Sequence, residues 1–355
     1  MGQFFSNMFE KNEEKMSRKE LRKQKEEKKA MYKKRLALLT SEERGYLRRK
    51  NFVDHVWPVV RFLILFGMTF VVLYPLIFML SAAFMPKAQM DDPTVLWIPK
   101  SVTMQNVKDV MRITDFWGTL KNTLVLNVVC SILQVITCAI TGYGFARFNF
   151  KLKKLLFGIV IMMIMVPPQI ILIPQFMFFR YFNPLGIWHM ITGEYIKLTD
   201  TFLAMYLPAL TANGLRAGLF ILIFRQFFKG LPKELEDAAY LDGYSPFATF
   251  VKVMCPNAAS SFLTVFLFSV VWYWNDYYIS TSFFTNNKTI ALALKNLDQT
   301  LRIELFGNGT VAISAKQIIV WMEAGCLLSV APMLLIYIFL QKYFTEGIER
   351  SGLVG

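Results

Sequence analysis

The chain has 355 residues, is 55% apolar with a mean hydropathy of +0.40, and carries a formal net charge of +14. The basic excess is bunched. Residues 1–57 hold 16 of the 39 Lys and Arg, interleaved with Glu, which suits a solvated helical arm beside anionic lipid headgroups and argues against specific nucleic-acid binding. Three windows, 62–86, 122–146 and 155–179, each run 25 residues without Asp, Glu, Lys or Arg. About 20 apolar residues at 1.5 Å rise cross a ~30 Å hydrocarbon core, so the chain reads as a polytopic membrane protein.

In chain order, the arm at 1–57 alternates charge and has few apolar residues, so a helix without a core is expected there. Thr40 and Glu43 have the spacing of a capping box for a second short helix. Tyr46, Leu47, Phe52, Val53 and Trp57 suit a segment lying along the membrane interface. Spans are expected at about 58–84, 119–146, 155–179, 201–228, 257–283 and 317–341. Pro75, Pro167, Pro168, Pro174, Pro208 and Pro332 mark kinks within them. With the N-terminus inside, the inner segments 1–57, 147–154, 229–256 and 342–355 hold 16, 4, 3 and 2 Lys and Arg. The outer segments 85–118, 180–200 and 284–316 hold 4, 2 and 4. The excess on one side places both termini in the cytoplasm. The expected fold is an all-α integral membrane protein: a basic arm at 1–57, then six transmembrane helices over 58–355. A helix pair is expected in the cytoplasmic loop 229–256 between spans four and five. No signal peptide is expected. Cys130, Cys138, Cys255 and Cys326 form no disulfide framework, and His55 and His189 have no ligand spacing, so no metal site is expected.

The loop at 229–256 carries the densest local signals. Pro232 suits the first turn of a helix, and Glu234, Glu236 and Asp237 sit near the positive end of its dipole. Gly243 suits a left-handed cap at the far end. Ser245 with Pro246 opens a second helix, running through Phe250 and Val253 to Pro256. Ala238 and Ala239 leave a low surface that another protein can approach closely, and Leu235, Leu241 and Phe247 add apolar contact.

These residues resemble the EAA loop of ABC-importer permeases. The correspondence runs through Leu231-Pro232, Glu234-Leu235, Asp237-Ala238-Ala239, Asp242-Gly243, Phe250 and Cys255-Pro256; Asp237 stands for the usual Glu and Cys255 for the usual Leu. Val166-Pro167-Pro168-Gln169 with Ile173-Pro174, Trp274-Asn275-Asp276-Tyr277, and Gln341-Lys342-Tyr343-Phe344 with Gly347 are similar to carbohydrate-type permeases, such as the smaller permease of maltose importers. The terminal Ser351-Gly352-Leu353-Val354-Gly355 lacks that family's Lys. The resemblance covers about 58–355; the basic arm is extra and the outer loop 180–200 is longer. It implies a permease subunit of a bacterial cytoplasmic membrane that binds no cofactor itself. ATP and Mg would reside on a partner ATPase dimer, since the chain has no Gly-x-x-x-x-Gly-Lys-Ser/Thr loop. A second permease subunit, an extracellular solute-binding protein and an oligosaccharide substrate are the other implied partners. Glu234, Leu235, Asp237, Ala238, Ala239, Asp242, Gly243 and Ser245 are the residues implied to couple to the ATPase.

Candidates for the translocation path are Arg216, Trp272, Trp274, Asn275, Asp276, Tyr277 and Glu323. Arg216 lies ~20 Å from the inner end of span four, where an ionisable group faces protein or water. It has either a structural partner, for which Asp276 and Glu323 are candidates, or a place on the path. The aromatic residues suit stacking on sugar faces and equally an interfacial belt. Other readings are a permease for a peptide, amino acid or polyamine, a membrane scaffold or sensor, and a membrane-embedded enzyme. The last lacks any convergent acid, base or nucleophile set.

Overall fold

The computed structural model describes residues 23, 26, 27, 30, 31, 40–95, 98–285, 289–306 and 315–352. Most of the basic arm, and Leu353, Val354 and Gly355 of the tail, lie outside these. Among the described residues the structure is helical, with one antiparallel bridge between Phe182 and Ile196. The chain divides into two units, Met1–Pro75 and Leu76–Gly355.

Helix α1, Ser41–Ala83, starts directly after Thr40 and contains Pro58 and Pro75. The expectation of a short interfacial helix followed by a separate span is corrected here, because the helix runs through unbroken. A proline removes a single backbone donor, and the apolar residues on both sides of Pro58 carry the helix past it. Side chains 59–66 are all exposed, as befits a span surrounded by lipid or by another subunit.

In the second unit, Asn106 on α2 (Gln105–Ile113) donates through Nδ2 to the carbonyls of Ala83 and Met85, at 3.1 and 2.7 Å. Helix α3, Phe116–Arg147, follows and contains no proline. Helices α4 (Lys153–Met165) and α5 (Pro168–Arg180) meet at 105°. Proline disfavours the helical region for the residue before it, and Val166 and Pro167, each preceding a proline, are both extended.

The stretch 201–228, expected as one span, is α6 (Leu203–Leu210) and α7 (Ala217–Gly230). Between them Ala212 and Arg216 take left-handed φ of 54° and 60°, a conformation that bulky side chains rarely adopt. The fifth expected span is also shorter. Helix α10, Ala259–Trp274, ends where Asp276 takes over the amides of Ile279 and Ser280 at the head of the short α11 (Tyr278–Phe283). Helix α12, Ala315–Gly352, continues through the tail. Three helical stretches, Phe52–Ala83, Phe116–Arg147 and Lys316–Phe339, are long and apolar enough to cross a membrane, and two bent pairs raise the number to five if each is one span.

Helix α3 is the hub of this unit. Cys138, Ala139 and Tyr143 pack with Phe220, Ile221, Phe224 and Phe228 of α7. Gly142 permits this approach, since a Cβ there would stand 2.6 Å from Phe224 Cβ. Asn127 Nδ2 donates to Val270 O of α10 at 2.8 Å, and Thr137 Oγ1 to Ala209 O of α6 at 2.8 Å. Replacing Gly142 with Leu is expected to force α3 and α7 apart at a cost of about 1–3 kcal/mol. This would be read as a lower melting temperature of the detergent-solubilised protein; an unchanged value contradicts the packing.

Candidate functional site

Lys233 precedes the first full helical turn of α8, Glu234–Leu241, so the helix starts two residues later than Pro232 suggested. Leu231 is extended, as the residue before a proline prefers. At the far end the chain reverses through paired hydrogen bonds, Tyr244 N to Ala239 O and Gly243 N to Tyr240 O, both 3.0 Å. This closure needs a left-handed residue at Gly243, whose φ is +83°. Ser245 Oγ then accepts from Ala248 N at 3.3 Å and Pro246 opens α9, Pro246–Thr249. The expected second helix continues as a π turn, Phe250–Met254, closed by Cys255 N donating to Phe250 O. The wider turn relieves the clash between the Pro256 ring and the preceding carbonyls.

The reversal projects a mixed apolar and acidic tip. Leu241 is 89% and Phe247 71% exposed. Glu234, Asp237, Ala238, Asp242, Gly243 and Ser245 are exposed and Leu235 is half-buried. Ala239 is buried, so the expected two-alanine surface is reduced to Ala238. The inward face of α8 carries Glu236, whose place near the positive end of the helix dipole is only part of its role. Its two carboxylate oxygens are claimed by α3: Tyr143 Oη donates to Oε1 at 2.6 Å, and Arg147 Nε lies 3.2 Å from Oε2. The Arg147 contact is an ion pair rather than an aligned hydrogen bond; Nη2 of the same guanidinium donates to Leu231 O at 2.6 Å. Glu236 and Arg147 are both nearly inaccessible. Removing one member of such a pair strands a buried charge, at about 3–5 kcal/mol. The available signal was the i,i+4 spacing of Tyr143 and Arg147 on one face at the end of a span.

The nominated path residues do not form one constellation. Arg216, at the start of α7, stacks its guanidinium 4.3 Å from the Trp272 ring centroid. It has no acidic partner among the described residues, and its Nε is buried without an acceptor. Asp276 is not its counter-ion: that buried carboxylate accepts from Ile279 N, Ser280 N and Ser280 Oγ. Trp274 is buried and donates to Ser329 O at 3.2 Å, which makes it a packing residue in this chain. Asn275 is exposed but returns its Nδ2 to Val271 O. Tyr277 is exposed with its ring 4.2 Å from that of Tyr278. Glu323 is half-buried on α12, with no hydrogen bond or ion pair among the described residues. A cavity of about 880 Å³ lies beside the break between α6 and α7; Met162, Gln175, Pro208, Asn213, Arg216 and Tyr273 are among its lining residues. Of the nominated path residues, Arg216 alone is on its wall.

Comparison with known proteins gives the geometry a context. The family described as "Binding-protein-dependent transport system inner membrane component" matches residues 134–350. The arabinooligosaccharides transport system permease protein AraQ of Halalkalibacterium halodurans is 25% identical over 306 residues, covering 84% of this chain and 98% of its own. The osmoprotective compounds uptake permease protein GgtD of Synechocystis is 29% identical over 258 residues, covering 72% and 77%. The diacetylchitobiose uptake system permease protein DasC of Streptomyces coelicolor is 24% identical, covering 86% and 100%. Among solved structures, a bacterial ABC transporter that imports the acidic polysaccharide alginate superposes with a TM-score of 0.66 at 22% identity, covering 82% of this chain and 97% of that one. The chain belongs to the binding-protein-dependent inner membrane components, the multi-pass permease subunits of ABC importers whose ATPase is a separate subunit.

Proposed function

We propose that this permease carries an oligosaccharide and is driven through its cytoplasmic loop at 229–256. The observation that carries the coupling reading is the loop's construction: a glycine-closed helix reversal held by the Ser245 cap, with Leu241 and Phe247 turned outward. Large apolar groups so exposed on a loop otherwise rich in charge mark a docking surface. Glu234, Asp237 and Asp242 beside them suit a basic rim on the partner, and Ala238 gives it close access. The partner is a cytoplasmic ATPase dimer holding ATP and Mg. A second permease subunit completes the path, an extracellular binding protein delivers the solute, and six spans place both termini in the cytoplasm. In that arrangement the third, fourth and fifth spans are the broken ones, and ATP-driven rocking alternates access at the mid-membrane break.

The sugar assignment is supported by relatives named for arabinooligosaccharides, diacetylchitobiose and trehalose. Arg216 over Trp272, with Tyr277 and Tyr278 further out, supplies a cation and aromatic faces for such a solute.

Gly243→Val is expected to uncouple the importer. A Cβ at Gly243 meets no neighbour, so its effect is confined to the left-handed φ, about 1–2 kcal/mol of strain at the tip. Transport in proteoliposomes should fall while ATP hydrolysis persists, and Gly243→Asn, which tolerates that φ, should retain most transport. Equal transport by the Val variant contradicts the coupling role. For the substrate, ATPase stimulation by the binding protein should respond to members of an oligosaccharide panel. Stimulation by a peptide, amino acid or polyamine with none by any glycan contradicts the sugar assignment.

A further inference from the structure

We propose that α3 is the rod that carries the motion of the coupling loop into the membrane, with Glu236 as the positioning residue that fastens the loop to it. The proposal rests on the coupling reading above and goes beyond it by naming the transmitting element. The covalent routes out of α8 are compliant. Toward α7 the helix is interrupted by extended Leu231 and by Pro232, and toward α10 the chain bends by 80° at Ala258. A push delivered along the backbone is therefore partly absorbed at these joints.

The stiff connection runs through side chains. Tyr143 and Arg147 lie one helical turn apart on α3, and each holds a different oxygen of Glu236. Two points of attachment fix the direction of α8 as well as its distance. Arg147 also grips the carbonyl of Leu231, so the hinge itself is tied to α3. Helix α3 contains no proline.

The other end of the rod meets the break in span four. About 20 Å along α3 from Arg147, Gln134 donates through Nε2 to Leu215 O. Its Oε1 accepts from Tyr273 Oη at 2.6 Å, and Leu215 N donates to the same Tyr273 oxygen at 3.3 Å. These bonds hold the residues next to Arg216. An axial or rocking displacement of α3 thus reaches the break between α6 and α7, where the chain leaves regular helix and a small shift is amplified.

The test uses the full importer in proteoliposomes with Cys255 and Cys326 replaced by Ser. Asn213→Cys, on the exposed break, reports by its rate of maleimide labelling with and without ATP and vanadate. In the parent importer the two rates should differ several-fold. Glu236→Gln, which keeps the Tyr143 bond but loses the charge, should abolish the difference while the ATPase stays bound and hydrolyses ATP. The exchanged pair Arg147→Glu with Glu236→Arg should restore part of it. An unchanged nucleotide response in Glu236→Gln overturns the proposal. So does loss of the ATPase from that variant's complex, because Glu236 would then be an ATPase contact. If the parent never retains an ATPase through the loop, the coupling reading itself fails, an outcome recognisable before any variant is made.

Discussion

A carboxylate withdrawn from water has to find donors, and among the described residues those that reach Glu236 both belong to the C-terminal end of α3. Tyr143 and Arg147 satisfy it, and in doing so they set where the loop at 229–256 sits. The constraint is asymmetric. The pair gains little over well-packed apolar residues, but losing one member is costly. Such a contact fixes geometry more than it adds stability. Around it Tyr143 meets Phe228 and Phe250 at ring centroid separations of 5.3 and 4.9 Å, which excludes water from the joint.

The same economy of polar groups organises the membrane interior. Each break in a span frees backbone donors and acceptors that lipid cannot satisfy. At the break between α6 and α7 the debt falls on Gln134, Thr137 and Tyr273, side chains from two neighbouring helices. At the end of α10 it falls on Asp276, while Trp274 donates across to the carbonyl of Ser329 on α12. The irregular segments are therefore held in defined positions, and Arg216 beside the cavity has no carboxylate partner among the described residues.

Local chemistry explains what was legible in the sequence. Gly243 and Ser245-Pro246 announce their conformations through rules that span a few residues, and the structure has them as expected. Val166-Pro167-Pro168 likewise announces the bend between α4 and α5. The misplaced features depend on partners remote in sequence. Glu236 meets Tyr143 across 93 positions, so no local pattern distinguishes it from the solvated Glu234 beside it. Trp274 and Asp276 suit a path by residue type. Type does not reveal that one packs against a neighbouring helix and the other is consumed as a helix cap. Ala238 and Ala239 are neighbours in sequence, but adjacent residues on a helix face different directions, so one is exposed and the other buried. The continuity of α1 past Pro58 joins the expected interfacial segment and the first expected span into one helix.

The central claim is that the coupling loop and α3 move as one body. Spin labels at exposed Lys233, at the head of α8, and at exposed Ile140, two turns up α3 from Arg147, measure this directly by double electron–electron resonance in the assembled importer. The account predicts the same narrow distance distribution with and without ATP and vanadate, while the distance from either label to α12 changes. A shift or broadening of the 233–140 distance on nucleotide binding would contradict it.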